Sequence, residues 1–152
     1  MNYYLIAPTS NKEGSYVHRD NFEISFIDKR PKKIIELLCL KNGTTLQGSY
    51  DASAYLLPKS YKRPIYIGGQ CNQIYIPTKA YRNQDCLWIN LSFCLNYPVE
   101  VYNNFGYEKL SNHRWEKHRK DGLKLRYAIF NTTKIKKSIV QLESKGICKI
   151  GV

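Results

Sequence analysis

Apolar residues alternate with polar ones at three places in the middle of the chain, Ile65–Ile67, Gln73–Ile76 and Leu87–Phe93. Alternation of this kind puts every second side chain on one face of a pleated ribbon, and the isoleucine, tyrosine and tryptophan content suits half-buried strands. Gly68-Gly69 separates the first two, Pro77-Thr78 closes the second, and a polar segment from Lys79 to Asp85, carrying Tyr81 and Arg82, leads to the third. Tyr3–Ala7 and Phe22–Ile27 read as earlier strands, with Tyr16–Arg19 as a pairing partner for the latter. At Pro31 the period becomes helical. Ile34, Ile35, Leu37 and Leu38 oppose Lys32, Lys33, Glu36 and Lys41, and Asn42-Gly43 supplies the stop. Tyr50–Leu57 predicts a second short helix ending before Pro58, after which Lys59, Lys62 and Arg63 lie in an exposed connection.

Past Phe93, Val99–Tyr102 reads as a further strand. Trp115–Arg119 and Leu123–Phe130 flank Asp121-Gly122, a pair that suits the type I′ turn of a two-residue hairpin loop. Asn131, Thr132 or Thr133 caps a last predicted helix with Ile135, Ile139 and Leu142 on one face, ended by Gly146. Together the elements predict a single α+β domain over residues 1–152, mainly an antiparallel twisted β-sheet with two or three short helices.

A chain of 152 residues is long enough for one sizeable core. It holds no apolar run of about 18 residues, so no membrane span is predicted, and its first residues lack a basic leader, so a cytoplasmic location is expected. Five cysteines without a C-x-x-C pair point to buried thiols rather than to a disulfide framework or a zinc ribbon. No metal and no cofactor is expected. The formal net charge is +12, and it is uneven: residues 1–30 carry four basic and four acidic side chains, whereas residues 101–152 carry twelve and four. Such a balance favours phosphate-bearing partners. An AT-rich coding sequence also enriches lysine, asparagine, isoleucine and tyrosine, but it does not account for the shortage of acidic residues.

Catalytic constellations are thin. His18, His113 and His118 form no H-E-x-x-H, the carboxylates form no D-x-D, and Gly68-Gly69 is not followed by the G-K-[ST] of a phosphate-binding loop. No catalytic residues are assigned, and the protein is not expected to be an enzyme. A metal-dependent nuclease assembling Glu100, Asp121 and His118 around magnesium stays as a minor alternative.

The order Lys62-x-Pro64-Ile65, Asn72-Gln73-Ile74-x-Ile76-Pro77-Thr78, Arg82 and Cys86-x-Trp88-Ile89 resembles the core of the ComK family of bacterial competence transcription factors. Upstream, Pro31-x-x-Ile34-Ile35-Glu36-x-x-Cys39-x-x-x-Gly43-Thr44 and Gly48 fit the same family, and the likeness is good over roughly Arg30 to Phe93. The resemblance implies an activator of DNA-uptake genes that binds paired A/T-rich promoter boxes in double-stranded DNA, mainly through the minor groove. It also implies a homo-oligomer on DNA, RNA polymerase as a further partner, and no membrane. On that basis Arg63 and Arg82 are candidates for the minor groove, because narrow A-tract grooves concentrate negative potential. Lys59, Lys62 and Lys79 are candidates for phosphates, and Gln73 for a base edge. Lys124, Arg126, Lys134 and Lys137 would form a second phosphate surface. Trp88 and Ile89 are assigned to the core, Tyr61 and Tyr81 to packing beside the strands. The end, Cys148 to Val152, carries no counterpart of the segment that an adaptor for a Clp protease reads in the best-known members, which puts that control in question here. The alternative from another class is a basic RNA- or ribosome-associated module stacking bases on Tyr61, Tyr66, Tyr75 and Tyr81.

Overall fold

The computed structural model describes residues 2–58, 62–69 and 71–130, which form a single-domain α+β fold. Six strands, β1 (Tyr3–Pro8), β2 (Ser15–Arg19), β3 (Ile24–Ile27), β4 (Ile65–Ile67), β5 (Gln73–Pro77) and β6 (Trp88–Asn90), lie in the order β3-β2-β1-β6-β5-β4. Every neighbouring pair is antiparallel. The sheet is therefore two three-stranded meanders, β1-β2-β3 and β4-β5-β6, joined where Leu5 faces Ile89 and Ile6 faces Trp88.

Period-two burial divides the core into two layers. Leu5, Ala7, Ile74, Ile76 and Ile89 point to one face, while Ile6, Ile65, Ile67, Tyr75 and Trp88 point to the other. Helix α1 (Pro31–Lys41) and the start of α2 (Leu46–Leu56) cover the second face through Ile34, Ile35, Cys39 and Leu46. Each buried isoleucine there stabilises by roughly 2 kcal/mol. Helices α3 (Leu91–Asn96), α4 (Val99–Asn103) and α5 (Asn112–Phe130) cover the first face.

Local chemistry explains the helix ends. Pro31 stands in the first turn of α1, where its missing N–H removes no bond, and Gly43 takes the left-handed conformation just past the end, at φ +83°. The C-cap Asn42 also ties α1 to the β4–β5 turn. Its Nδ2 donates to the Leu38 carbonyl at 2.8 Å while its Oδ1 accepts from the Cys71 N–H at 3.2 Å.

Several sequence expectations change. The second helix begins at Leu46 rather than Tyr50, because Thr45 caps it, its Oγ1 accepting from the Gly48 N–H at 2.9 Å. The strand expected over Leu87–Phe93 ends at Asn90, whose side chain accepts from the Ser92 N–H and so starts α3. The strand expected over Val99–Tyr102 is α4, entered from Pro98. The hairpin expected around Asp121-Gly122 is a continuous 19-residue helix. Trp115, His118, Gly122 and Leu125 form its buried face, and Gly122 is there for close approach, since a Cβ would meet Leu91 Cδ1 at 2.6 Å. The described residues thus hold five helices, not all short. The last predicted helix, with Lys134 and Lys137, lies outside the described residues, as do Lys59, Tyr61 and Cys148.

Candidate nucleic-acid interface

The loop between β5 and β6 is held by its own polar groups. The Thr78 N–H donates to the Leu87 carbonyl at 2.9 Å, the Leu87 N–H returns to Thr78 Oγ1 at 3.1 Å, and the Asn83 and Cys86 N–H groups close turns inside it. Cys86 anchors it from below. Its thiol donates to the Lys79 carbonyl at 3.3 Å, and burial pushes the thiol up to about 11, so it stays protonated at neutral pH. Lys79 is half-buried and Arg82 is exposed at the tip.

Strand register places the other candidates. Ile65 pairs with Tyr75 and Ile67 with Gln73, so Lys62 and Arg63 come in at the end of the sheet where Pro77 leads into the basic loop. Lys62, Arg63, Lys79 and Arg82 therefore share one sheet end. Gln73 does not: it is six residue steps from Lys79 along β5 and its extension, roughly 20 Å at strand rise, and its Oε1 already accepts from Asn90 Nδ2 at 2.6 Å. Arg126 shares a groove with Gln73 and Asn90 at that opposite end, and Lys124 is exposed on α5. The last two stand on a helix rather than on the expected hairpin strand, and their two-residue spacing turns them about 200° apart around it.

Arg63 differs from Arg82 in its commitments. Its Nε and Nη2 donate to the Leu57 and Pro58 carbonyls at 3.0 and 3.1 Å, and its Nη1 to the Tyr50 hydroxyl at 3.0 Å. The guanidinium is thus spent on holding the end of α2 against the start of β4. Arg82 makes no side-chain hydrogen bond or ion pair among the described residues, which leaves its donors free. From Arg63 an aromatic chain runs inward, Tyr50 against Tyr81 at 5.2 Å and Tyr81 against Trp88 at 6.3 Å between ring centres. Tyr81 packs as expected, and Trp88 and Ile89 are fully buried.

Four further groups join this end without a signal in the sequence. The β1–β2 loop brings Lys12 onto Asp85, whose carboxyl is held below its usual range by that hydrogen bond and charge. Arg30 and Lys32 flank the start of α1, and Lys32 lies 5.8 Å from the centre of the Tyr81 ring. Arg114, at the start of α5, lies 3.6 Å from Glu108 and donates to the Thr78 carbonyl at 3.5 Å. Lys12 and Arg30 belong to a stretch with no net charge, and only the β1–β6 pairing carries them to the basic loop.

The alternatives meet different geometry. Tyr75 is fully buried and Tyr66 packs on Phe130, so over β4, β5 and β6 the sheet is covered on both faces and offers no open stacking platform. Among the described residues no three His, Cys, Asp or Glu side chains converge on a point. Cys39, Cys86 and Cys94 are buried, Cys71 is half-buried, and none of the four is in a disulfide. No described helix is long and apolar enough to cross a membrane.

Searches of the curated proteins and of the solved structures each give no match. A family model described as ComK protein matches residues 3–105, which include the whole sheet and the basic loop and leave α5 outside. With well over half of its length matched, this chain belongs to the ComK family of transcription factors.

Proposed function

We propose that this protein is a DNA-binding activator of competence genes that binds A/T-rich promoter boxes in duplex DNA largely through the minor groove. It acts in the cytoplasm as a homo-oligomer on DNA, with RNA polymerase as its partner at the promoter. The observation that carries this reading is the gathering of Lys62, Lys79, Arg82, Arg30 and Lys32 at one sheet end, inside the region that matches the family. Arg82, exposed at the tip of a braced loop, suits insertion into a narrow groove, where the electrostatic gain of an arginine is largest. Lys79, in the same loop, and Lys62, at the same sheet end, are the phosphate candidates. Arg63 serves as the brace that keeps the Lys62 connection in place. Lys124 and Arg126 supply a separate phosphate-attracting surface on α5.

Fluorescence anisotropy with equal-length A-tract duplex, G·C-rich duplex and single-stranded RNA, each at two salt concentrations, tests the reading. A tenfold preference for the A-tract duplex, about 1.4 kcal/mol, that persists at higher salt supports it. Equal binding to all three that collapses together with salt contradicts it, because that is the behaviour of a general polyanion surface.

A further inference from the structure

The start of α1 opens onto a groove of about 210 Å³ whose charged lining is entirely basic: Lys12, Arg30, Lys32 and Arg82. Asp85 stands beside it and is taken by Lys12, and Glu13 and Asp28 lie outside the lining. Arg30, Lys32 and Arg82 have no ion pair among the described residues. Two kinds of backbone and side-chain donor add to these cations. The first turn of α1 holds no acidic residue and no side-chain cap, so the Lys32 and Lys33 N–H groups await an outside acceptor at the positive end of the helix dipole. Trp88, also part of the groove wall, is fully buried, yet its indole Nε1–H has no hydrogen-bond partner. A buried donor left open is uncommon, and this one belongs to a residue of the groove wall.

We infer that this groove is a phosphate seat, built from the α1 N-terminus, Arg30 and Lys32 with the Trp88 indole in its wall, which holds one backbone phosphate of the bound duplex. This deepens the DNA-binding reading and rests on it. A phosphate held here fixes the register of the duplex against the β5–β6 loop, so that Arg82 is presented to the groove from a defined position. The seat carries affinity without sequence information.

Trp115 provides an internal control, because the chain has two tryptophans and the Trp115 indole already donates to the Tyr97 carbonyl at 3.1 Å. Addition of an A-tract duplex to the ¹⁵N-labelled full chain is expected to shift the Trp88 indole and the Lys32 and Lys33 amide resonances while leaving the Trp115 indole in place. In parallel, the double variant Arg30→Gln/Lys32→Gln is expected to weaken A-tract and G·C-rich duplexes by the same factor. It should also reduce the slope of log affinity against log salt by about 1, the signature of one lost phosphate contact. If the wild-type protein prefers the A-tract duplex but neither the resonances nor the slope change, the seat is wrong and the DNA reading stands. If the wild-type protein binds no duplex, the DNA reading is wrong, and titration with inorganic phosphate at constant ionic strength decides the groove alone. A Trp88 shift then supports a seat for a free phosphate compound, and no shift overturns it.

Discussion

Replacing Gly122 by alanine tests the placement of α5 on the sheet. An alanine in mid-helix is favoured over glycine by about 1 kcal/mol, so on an unconstrained helix the change stabilises. Here the new methyl would lie 2.6 Å from Leu91 Cδ1 and 3.1 Å from Ile76 Cδ1. Leu91 and Ile76 are each 1 % exposed, so neither can swing into solvent, and the contact must open by roughly 1 Å against a close-packed core. Overpacking of that kind costs about 1–3 kcal/mol, which leaves a net loss of about 1 kcal/mol. Urea unfolding followed by circular dichroism, on the wild type, Gly122→Ala, Leu91→Ala and the double variant, separates the contributions. In the Leu91→Ala background the nearest obstructing atoms are gone and only the 3.1 Å approach to Ile76 Cδ1 remains, so Gly122→Ala should stabilise by up to about 1 kcal/mol, giving a coupling of up to about 2 kcal/mol. Equal stabilisation in both backgrounds would refute the packing of α5 on Leu91. Equal destabilisation in both would refute the helix itself, since a glycine in a type I′ turn is required by its positive φ whatever lies opposite.

The two arginines flanking the matched strands should separate. Arg63→Ala removes three hydrogen bonds and should lower stability by about 2 kcal/mol, a fall of about 6 °C in a thermal melt; an unchanged melt would contradict its bracing role. Arg82→Ala should leave stability within about 0.5 kcal/mol while duplex anisotropy shows weaker binding and a smaller A-tract advantage; unaltered binding would remove Arg82 from the interface. His18 and His118 are held down to about 4 by burial, His18 against Phe105 and Tyr107, His118 also by Arg114, Lys117 and Lys62. Because both folded values lie below the unfolded value of about 6.5, the unfolded chain takes up protons first. Stability is then complete above about pH 6.5 and falls as pH drops toward 4, by up to about 3 kcal/mol per histidine. Urea midpoints at pH 7.5, 6 and 5 should show the decline, and a flat profile over that range would contradict it.

The first half of the fold was legible because its signals are local. Pro31 and Asn42-Gly43 bracket α1, Gly68-Gly69 and Pro77 bracket β4 and β5, and the alternation of Ile65–Ile67 survives in the burial pattern, whereas β5, covered on both faces, is buried from Ile74 to Pro77. The second half misled for an equally physical reason. The buried face of α5 is made of Trp115, His118, Gly122 and Leu125, and with a histidine and a glycine at two of four inward positions its helical period is hidden from a count of apolar residues. Leu91–Phe93 looked like the continuation of the strand because β6 and α3 are both buried, and only the capping bond of Asn90 separates them. The basic loop was found because Lys79 and Arg82 lie within a recognisable stretch. Lys12, Arg30 and Lys32 could not be, since they reach it through the pairing of β1 with β6, a non-local choice that no local pattern records.

The groove that the protein reads is decided by replacing the A·T pairs of a bound promoter box with inosine·cytosine pairs and measuring affinity by anisotropy. Inosine lacks the amino group that marks G·C in the minor groove, yet it presents the acceptors of guanine in the major groove. Reading through the minor groove predicts that the substituted box binds within about threefold of the original, while a G·C box falls by tenfold or more. An inosine box as weak as the G·C box would contradict it and move recognition to the major groove.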